Sequence, residues 1–212
     1  MTKKEANKNT KEKILEEASG LFAKHGFAAT SVREIAGKAN VNLASINYHF
    51  KNKENLYQEV FEYNYEFIKQ AVHQCGKKTN TTEELTVAVF QLFLSKEAAV
   101  MNTFKMFLSD NVPDEGNEYN FEKEDQIGPP GSSEFIEKIN NDLDGEYSEE
   151  SKLWAVKMIF SLLIHFGVVL NTALMKRRCK ASKDISPEKV EQHLRHTVRS
   201  YLMYIKETSE FY

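Results

Sequence analysis

Along most of the chain apolar residues recur at spacings of three and four, the period of a helix packed on one side. The first such run is Ile14, Leu15, Ala18, Leu21 and Phe22. Asn9 and Glu12 precede it as a capping box, and Gly26 ends it after Lys24 and His25. Ser31 and Glu34 form a second capping box before a short helix that buries Val32, Ile35, Ala36 and Ala39. Asn40 follows where a tight turn needs a residue that tolerates left-handed backbone. The next segment, VNLASINYHF at residues 41–50, has only a sparse apolar stripe. Ile46 and Phe50 share a face, and Val41 joins them from the turn before. Ala44, Ser45, Asn47 and Tyr48 occupy the opposite face, where a solvated helix usually carries Lys and Glu. Such a face is suited to contact rather than to water. A long helix then opens at Lys53, with Leu56, Tyr57, Val60, Phe61, Phe67, Ile68 and Val72 in register.

Further helices are predicted at 82–95, 97–110, 132–144, 149–178 and 187–208. Four Pro and nine Gly in 212 residues are too few for a turn-rich β fold, so the expected class is all-α. Residues 111–131, polar and acidic with Pro129-Pro130-Gly131, read as a long loop that is mobile or functional. Met158 to Met175 runs 18 residues without a formal charge and precedes Lys176, Arg177 and Arg178. That is near the lower limit for a membrane span. Its Ser161, His165, Gly167, Asn171 and Thr172, and the helical pattern Leu153, Trp154, Val156 before it, favour an interior or interface helix, with no membrane partner.

Composition narrows the picture. Cys75 and Cys179 form no CxxC pair, and the polar amino terminus has no apolar core of a secretory signal, so a reducing cytoplasm is expected. Residues 1–56 carry ten Lys and Arg against six Asp and Glu, whereas the remainder is acidic, with 18 against 25. A basic first quarter on an acidic body suggests that only this quarter meets a polyanion. Short helix, tight turn, short helix is the helix-turn-helix arrangement. A second helix of about nine residues is roughly 13 Å long. It suits a major groove about 12 Å wide.

Residues 27–60, FAATSVREIAGKANVNLASINYHFKNKENLYQEV, resemble the DNA-binding signature of the TetR family of bacterial transcriptional regulators. The matching features are Gly26-Phe27, Thr30, Ile35-Ala36, Ala39, Val41, Tyr48-His49-Phe50 and Lys53-Glu54 followed by Leu56. Asn40 stands where the family commonly has Gly, and Asn47 where it often has Tyr. The resemblance covers about the first 60 residues, so the expected division is 1–56 for DNA binding and 57–212 for ligand binding and dimerisation. It implies a small-molecule pocket in the body, for which Phe90, Met101, Phe104, Phe107, Trp154 and Met158 are the expected lining and His165 a polar contact. Met and aromatics adapt to irregular apolar ligands, and they equally fill cores.

On DNA, Leu43, Ala44 and Asn47 are expected to approach base edges, and Ser45, Tyr48, His49 and Lys53 to hold phosphate. Asn can pair with adenine through two hydrogen bonds, and the apolar pair can meet a thymine methyl. Thr30 and Ser31, at a helix start, suit a phosphate as well. Lys3, Lys4 and Lys8 form either a minor-groove arm or a solvated tail. Helices 149–178 and 187–208 are expected to build a homodimer around a two-fold axis, through Phe166, Val169, Leu170 and Ala173 on one helix. Val190, Leu194, Val198, Tyr201, Leu202 and Ile205 supply the stripe on the other. The operator is then a rough palindrome.

No nucleophile elbow, Walker loop, GxGxxG or HExxH occurs, and His193 with His196 lack a third ligand at metal spacing. No cofactor, metal or enzymatic activity is expected. The leading expectation is a cytoplasmic, ligand-responsive DNA-binding regulator that represses. The alternatives are a helical small-molecule carrier or enzyme with an incidental basic terminus, and a membrane-anchored regulator built on the 158–175 run.

Overall fold

The computed structural model describes residues 3–109, 128–145, 147–181 and 186–208. Among these, ten helices and no strand occur, α1 Lys3–Ala29, α2 Val32–Ala39, α3 Leu43–Phe50, α4 Lys53–Gly76, α5 Thr82–Ser95, α6 Glu97–Phe107, α7 Ser132–Leu143, α8 Glu149–Asn171, α9 Ala173–Ala181 and α10 Pro187–Thr208. The all-α expectation holds. The expected loop lies outside the described residues from Asp110 to Ile127.

The chain forms two compact units: Met1–Phe67 with Met101–Tyr119, and Ile68–Val100 with Asn120–Tyr212. In the first, α1, α2, α3 and the start of α4 close over Ile14, Phe22, Ile35, Ile46, Phe50, Leu56 and Tyr57, all buried. Phe22 and Phe27 both meet the Tyr57 ring edge-on, at 5.0 and 5.4 Å. α6 contributes Met106 to this core. The buried amide of Asn64 joins the helices, accepting from Ser19 Oγ at 3.1 Å and donating to Met106 Sδ at 3.6 Å.

The start of α1 differs from expectation. The helix already runs at Lys3, so Asn9 and Glu12 lie inside it and form no cap. The polar run Lys3 to Lys13 contains no Pro or Gly, and Lys8 pairs with Glu12 at 3.8 Å across one turn. The tail is therefore helical; the Lys3 and Lys4 side chains lie outside the described atoms. Its end is as expected: Gly26, at φ 77 and ψ 172, breaks the helical path.

In the second unit α5 packs between α8 and α10, with α7 against both α5 and α8. Gly167 on α8 allows a close crossing, since a Cβ there would stand 2.9 Å from the Phe93 ring on α5. The expected 149–178 helix is two helices. Asn171 at the end of α8 donates to the carbonyls of Phe93, at 3.1 Å, and Gly167, at 2.8 Å. Thr172 then turns extended, at ψ 146, and its hydroxyl receives the Met175 N–H to open α9. α8 is long and apolar enough to cross a membrane by length and composition alone. Within the fold it buries Ala155, Val156, Ile159, Phe160, Leu163 and Leu170.

The α10 stripe also differs. Val190, Leu194, Val198 and Ile205 are buried within their own unit, where α10 packs on α5 and α8. They cannot serve a second subunit while they fill this core. Met203 and Tyr204 are the large apolar residues that α10 leaves exposed.

Candidate nucleic-acid interface

Ser31 caps α2 as expected, its Oγ accepting from Glu34 N–H at 3.1 Å. Asn40 ends the helix in the left-handed region, φ 53 and ψ 47. Its N–H reaches Gly37 O at 3.2 Å, and Val41 N–H reaches Ala36 O at 3.0 Å. This crossed pair satisfies the last carbonyls of α2 and lets apolar Val41 fold back on the core. Asn42 then caps α3: its Oδ1 accepts from Ser45 N–H at 2.7 Å and Ser45 Oγ at 2.9 Å. A cap of this kind contributes about 1 kcal/mol to a helix. For an eight-residue helix, too short to be stable alone, that is a large share.

Burial of Ile46 and Phe50 orients α3, and these two are its fully covered residues. Each contributes about 1.5–3 kcal/mol. Leu43, Ala44, Asn47 and Tyr48 are exposed in consequence, Tyr48 to 75%. The expected recognition face is therefore the solvent face. Ser45 and His49 are half-buried at its edges. Burial, and then the charge of Lys11, depress the His49 pKa from its ordinary value, with Glu59 opposing. Both effects favour the neutral imidazole.

Two expected phosphate ligands have other work. Thr30 is buried, and its hydroxyl donates to the carbonyls of Gly26, at 2.7 Å, and Leu21, at 3.3 Å. Lys53 Nζ donates to Phe27 O at 2.9 Å and Thr30 O at 3.2 Å, and stands 4.3 Å from the Phe27 ring centroid. Both side chains close the corner between α1 and α2 instead of facing outward. Ser31 remains exposed there. Sequence reading missed Asn42, although an Asn three residues before Ser at the start of an apolar run is a recognisable capping pattern. It also passed over Arg33 and Lys38, exposed on α2.

The residues expected to line a ligand pocket divide between the two units. Phe90 is buried in the second unit. Met101, Phe104 and Phe107 belong to the first, where Phe107 is exposed and stacks on Phe61 at 6.2 Å. Trp154, Met158 and His165 lie on the exposed side of α8. Solvent reaches 51% of Trp154 and 47% of Met158, so the trio lines no interior space within its unit. Among the described residues no group of His, Cys, Asp or Glu could hold a metal.

A three-helix unit that offers a short, uncharged, exposed helix behind a capped turn is the helix-turn-helix arrangement found in DNA-binding proteins. Residues 14–60 match the family model described as "Bacterial regulatory proteins, tetR family". The chain is 39% identical over 87 residues to the probable HTH-type transcriptional regulator YttP of Bacillus subtilis (strain 168). That alignment covers 40% of this chain and 42% of YttP, less than half of that relative's length. Identity to IcaR of Staphylococcus aureus (strain Newman), the HTH-type negative transcriptional regulator of the biofilm operon icaADBC, is 25% over 160 residues. There the coverage is 73% of this chain and 77% of IcaR. The fold is similar to that of a TetR family transcription regulator from Marinobacter aquaeolei VT8, with a TM-score of 0.64 at 17% identity over 93% of this chain and 97% of that one.

Proposed function

We propose that this chain is a ligand-responsive repressor that binds a roughly palindromic operator as a homodimer and leaves it when a small apolar effector binds. The carrying observation is the exposed face of α3, whose Leu43, Ala44, Asn47 and Tyr48 stand clear of the core on a helix that fits the major groove. Leu43, Ala44 and Asn47 meet base edges. Tyr48 and Ser31 meet phosphate, and half-buried Ser45 and His49 stand at the margin of the face. Thr30 and Lys53 act behind them, holding the corner from which α2 and α3 are presented.

Repression is supported by the likeness to IcaR, a negative regulator by name. Assembly is supported by α8, which leaves Trp154 and Met158 exposed on a helix otherwise apolar along most of its length. Of the expected pocket lining, Phe90 is the member inside the second unit, and the effector is sought around it. Footprinting of DNA flanking the protein's own gene tests the reading. The expected result is a protected, two-fold-related site at submicromolar protein. Protection that spreads without sequence preference would overturn it.

A further inference from the structure

The structure narrows which bases α3 is able to read. Four of its side chains are exposed, Leu43, Ala44, Asn47 and Tyr48, and none carries charge. The remaining polar groups near the helix are committed elsewhere. Asn42 Oδ1 accepts two hydrogen bonds from Ser45, whose hydroxyl supplies one of them. His49 is half-buried, with its pKa depressed by burial and by Lys11. The Lys53 ammonium is held by the carbonyls of Phe27 and Thr30. Guanine is most often read through O6 and N7 by a two-pronged Arg or Lys contact. The exposed cations nearest in sequence, Arg33 and Lys38 on α2 and Lys51 after α3, are not on the reading helix.

We infer that the base pairs facing α3 are A·T pairs, with thymine methyls against Leu43 and Ala44 and an adenine edge against Asn47. The inference rests on the DNA-binding reading above and adds the class of sequence it selects. Leu43 and Asn47 are four residues apart, one turn along the same face and about 6 Å by helical rise. That spans roughly two base-pair steps of 3.4 Å. Selection works in both directions. A thymine methyl against Leu43 or Ala44 leaves water for an apolar contact. Guanine O6 or cytosine N4 in the same place would lose hydrogen bonds to water with no protein partner in return. The Asn47 amide, donor and acceptor together, matches adenine N6 and N7.

The test is selection from a random duplex library with the full-length protein, followed by base-analogue substitution in the selected site. Asn47→Arg locates the helix, because it should move one position of each half-site from adenine to guanine. The neighbouring one or two positions should be A·T. Replacing each thymine there by deoxyuridine, which removes only the methyl, should weaken wild-type binding roughly fourfold. A Leu43→Ser variant should lose that sensitivity at one of the thymines. G·C pairs beside the position that Asn47→Arg shifts, or indifference to uracil throughout, would overturn the inference and leave sequence-specific binding standing. Failure to enrich any sequence would overturn the DNA-binding reading itself.

Discussion

At the scale of single residues, the structure separates side chains exposed on α3 from those that hold that face in place. Asn47→Ala should relax preference at one base position and lower operator affinity by about 1–3 kcal/mol, without affecting the melting temperature. Lys53→Ala should do something different. Its ammonium bridges the carbonyls of Phe27 and Thr30, so its loss loosens the α1–α2 corner, lowers the melting temperature and weakens all sequences alike. The slope of affinity against salt should stay unchanged; a decrease of about 0.9 would mean that the ammonium also meets a phosphate. Glu83 gives a pH-dependent counterpart in the second unit. It accepts from Arg195 at 2.9 Å and Arg199 at 2.6 Å, tying the start of α5 to α10. Partial burial opposes its ionisation, but the two guanidinium groups outweigh burial and hold its pKa below the ordinary value. A depressed carboxyl pKa stabilises the fold above the unfolded value and loses that contribution as pH falls through the folded one. Glu83→Gln should therefore cost roughly 1–2 kcal/mol at pH 7. Thermal melts should show the difference from wild type shrinking below about pH 4.

At the scale of elements, the positive-φ positions that end α1 and α2 make opposite predictions. Gly26 sits at φ 77 and ψ 172, a region open essentially to glycine, so Gly26→Ala should destabilise the first unit by about 1–3 kcal/mol. Asn40 sits at φ 53 and ψ 47, where Gly is at ease, so Asn40→Gly should leave the unfolding free energy within about 1 kcal/mol of wild type. These two stops were legible in the sequence because backbone chemistry alone fixes them. So were α5 and α10, found at Thr82–Ser95 and Pro187–Thr208 as their periodicity predicts. What escaped depends on distant partners. The break at Thr172 follows from Asn171 reaching the Phe93 carbonyl on α5, a contact between residues 78 apart in sequence. The roles of Thr30 and Lys53 were read as outward because a hydroxyl and an ammonium suit phosphate equally well. Only the closed corner shows that they point inward. The exposed face of α3 was legible for the reverse reason: Ile46 and Phe50 left the short helix one way to turn.

At the scale of the whole molecule, assembly concerns surface that one chain leaves uncovered. The Val190, Leu194, Val198 and Ile205 stripe of α10 is already buried, so a partner subunit must use other residues. α8 exposes Trp154 and Met158 one turn apart, and α10 exposes Met203 and Tyr204. Because Met158 is 47% exposed within its own chain, Met158→Glu leaves little unsatisfied in the protomer and should barely change its melting temperature when monomeric. In a two-fold interface the same substitution places two carboxylates in an apolar seam, where each is costly to desolvate. Sedimentation at micromolar concentration should therefore find wild type dimeric and Met158→Glu monomeric. Trp154, the single Trp, offers a second reading of the same event, since its emission should shift to longer wavelength as the interface opens. Operator binding should fall with it by about 10²–10⁴-fold, because a monomer engages one half-site and loses the effective concentration that the linked second site provides. A Met158→Glu protein that stays dimeric with unchanged Trp154 emission would place the interface elsewhere on the molecule.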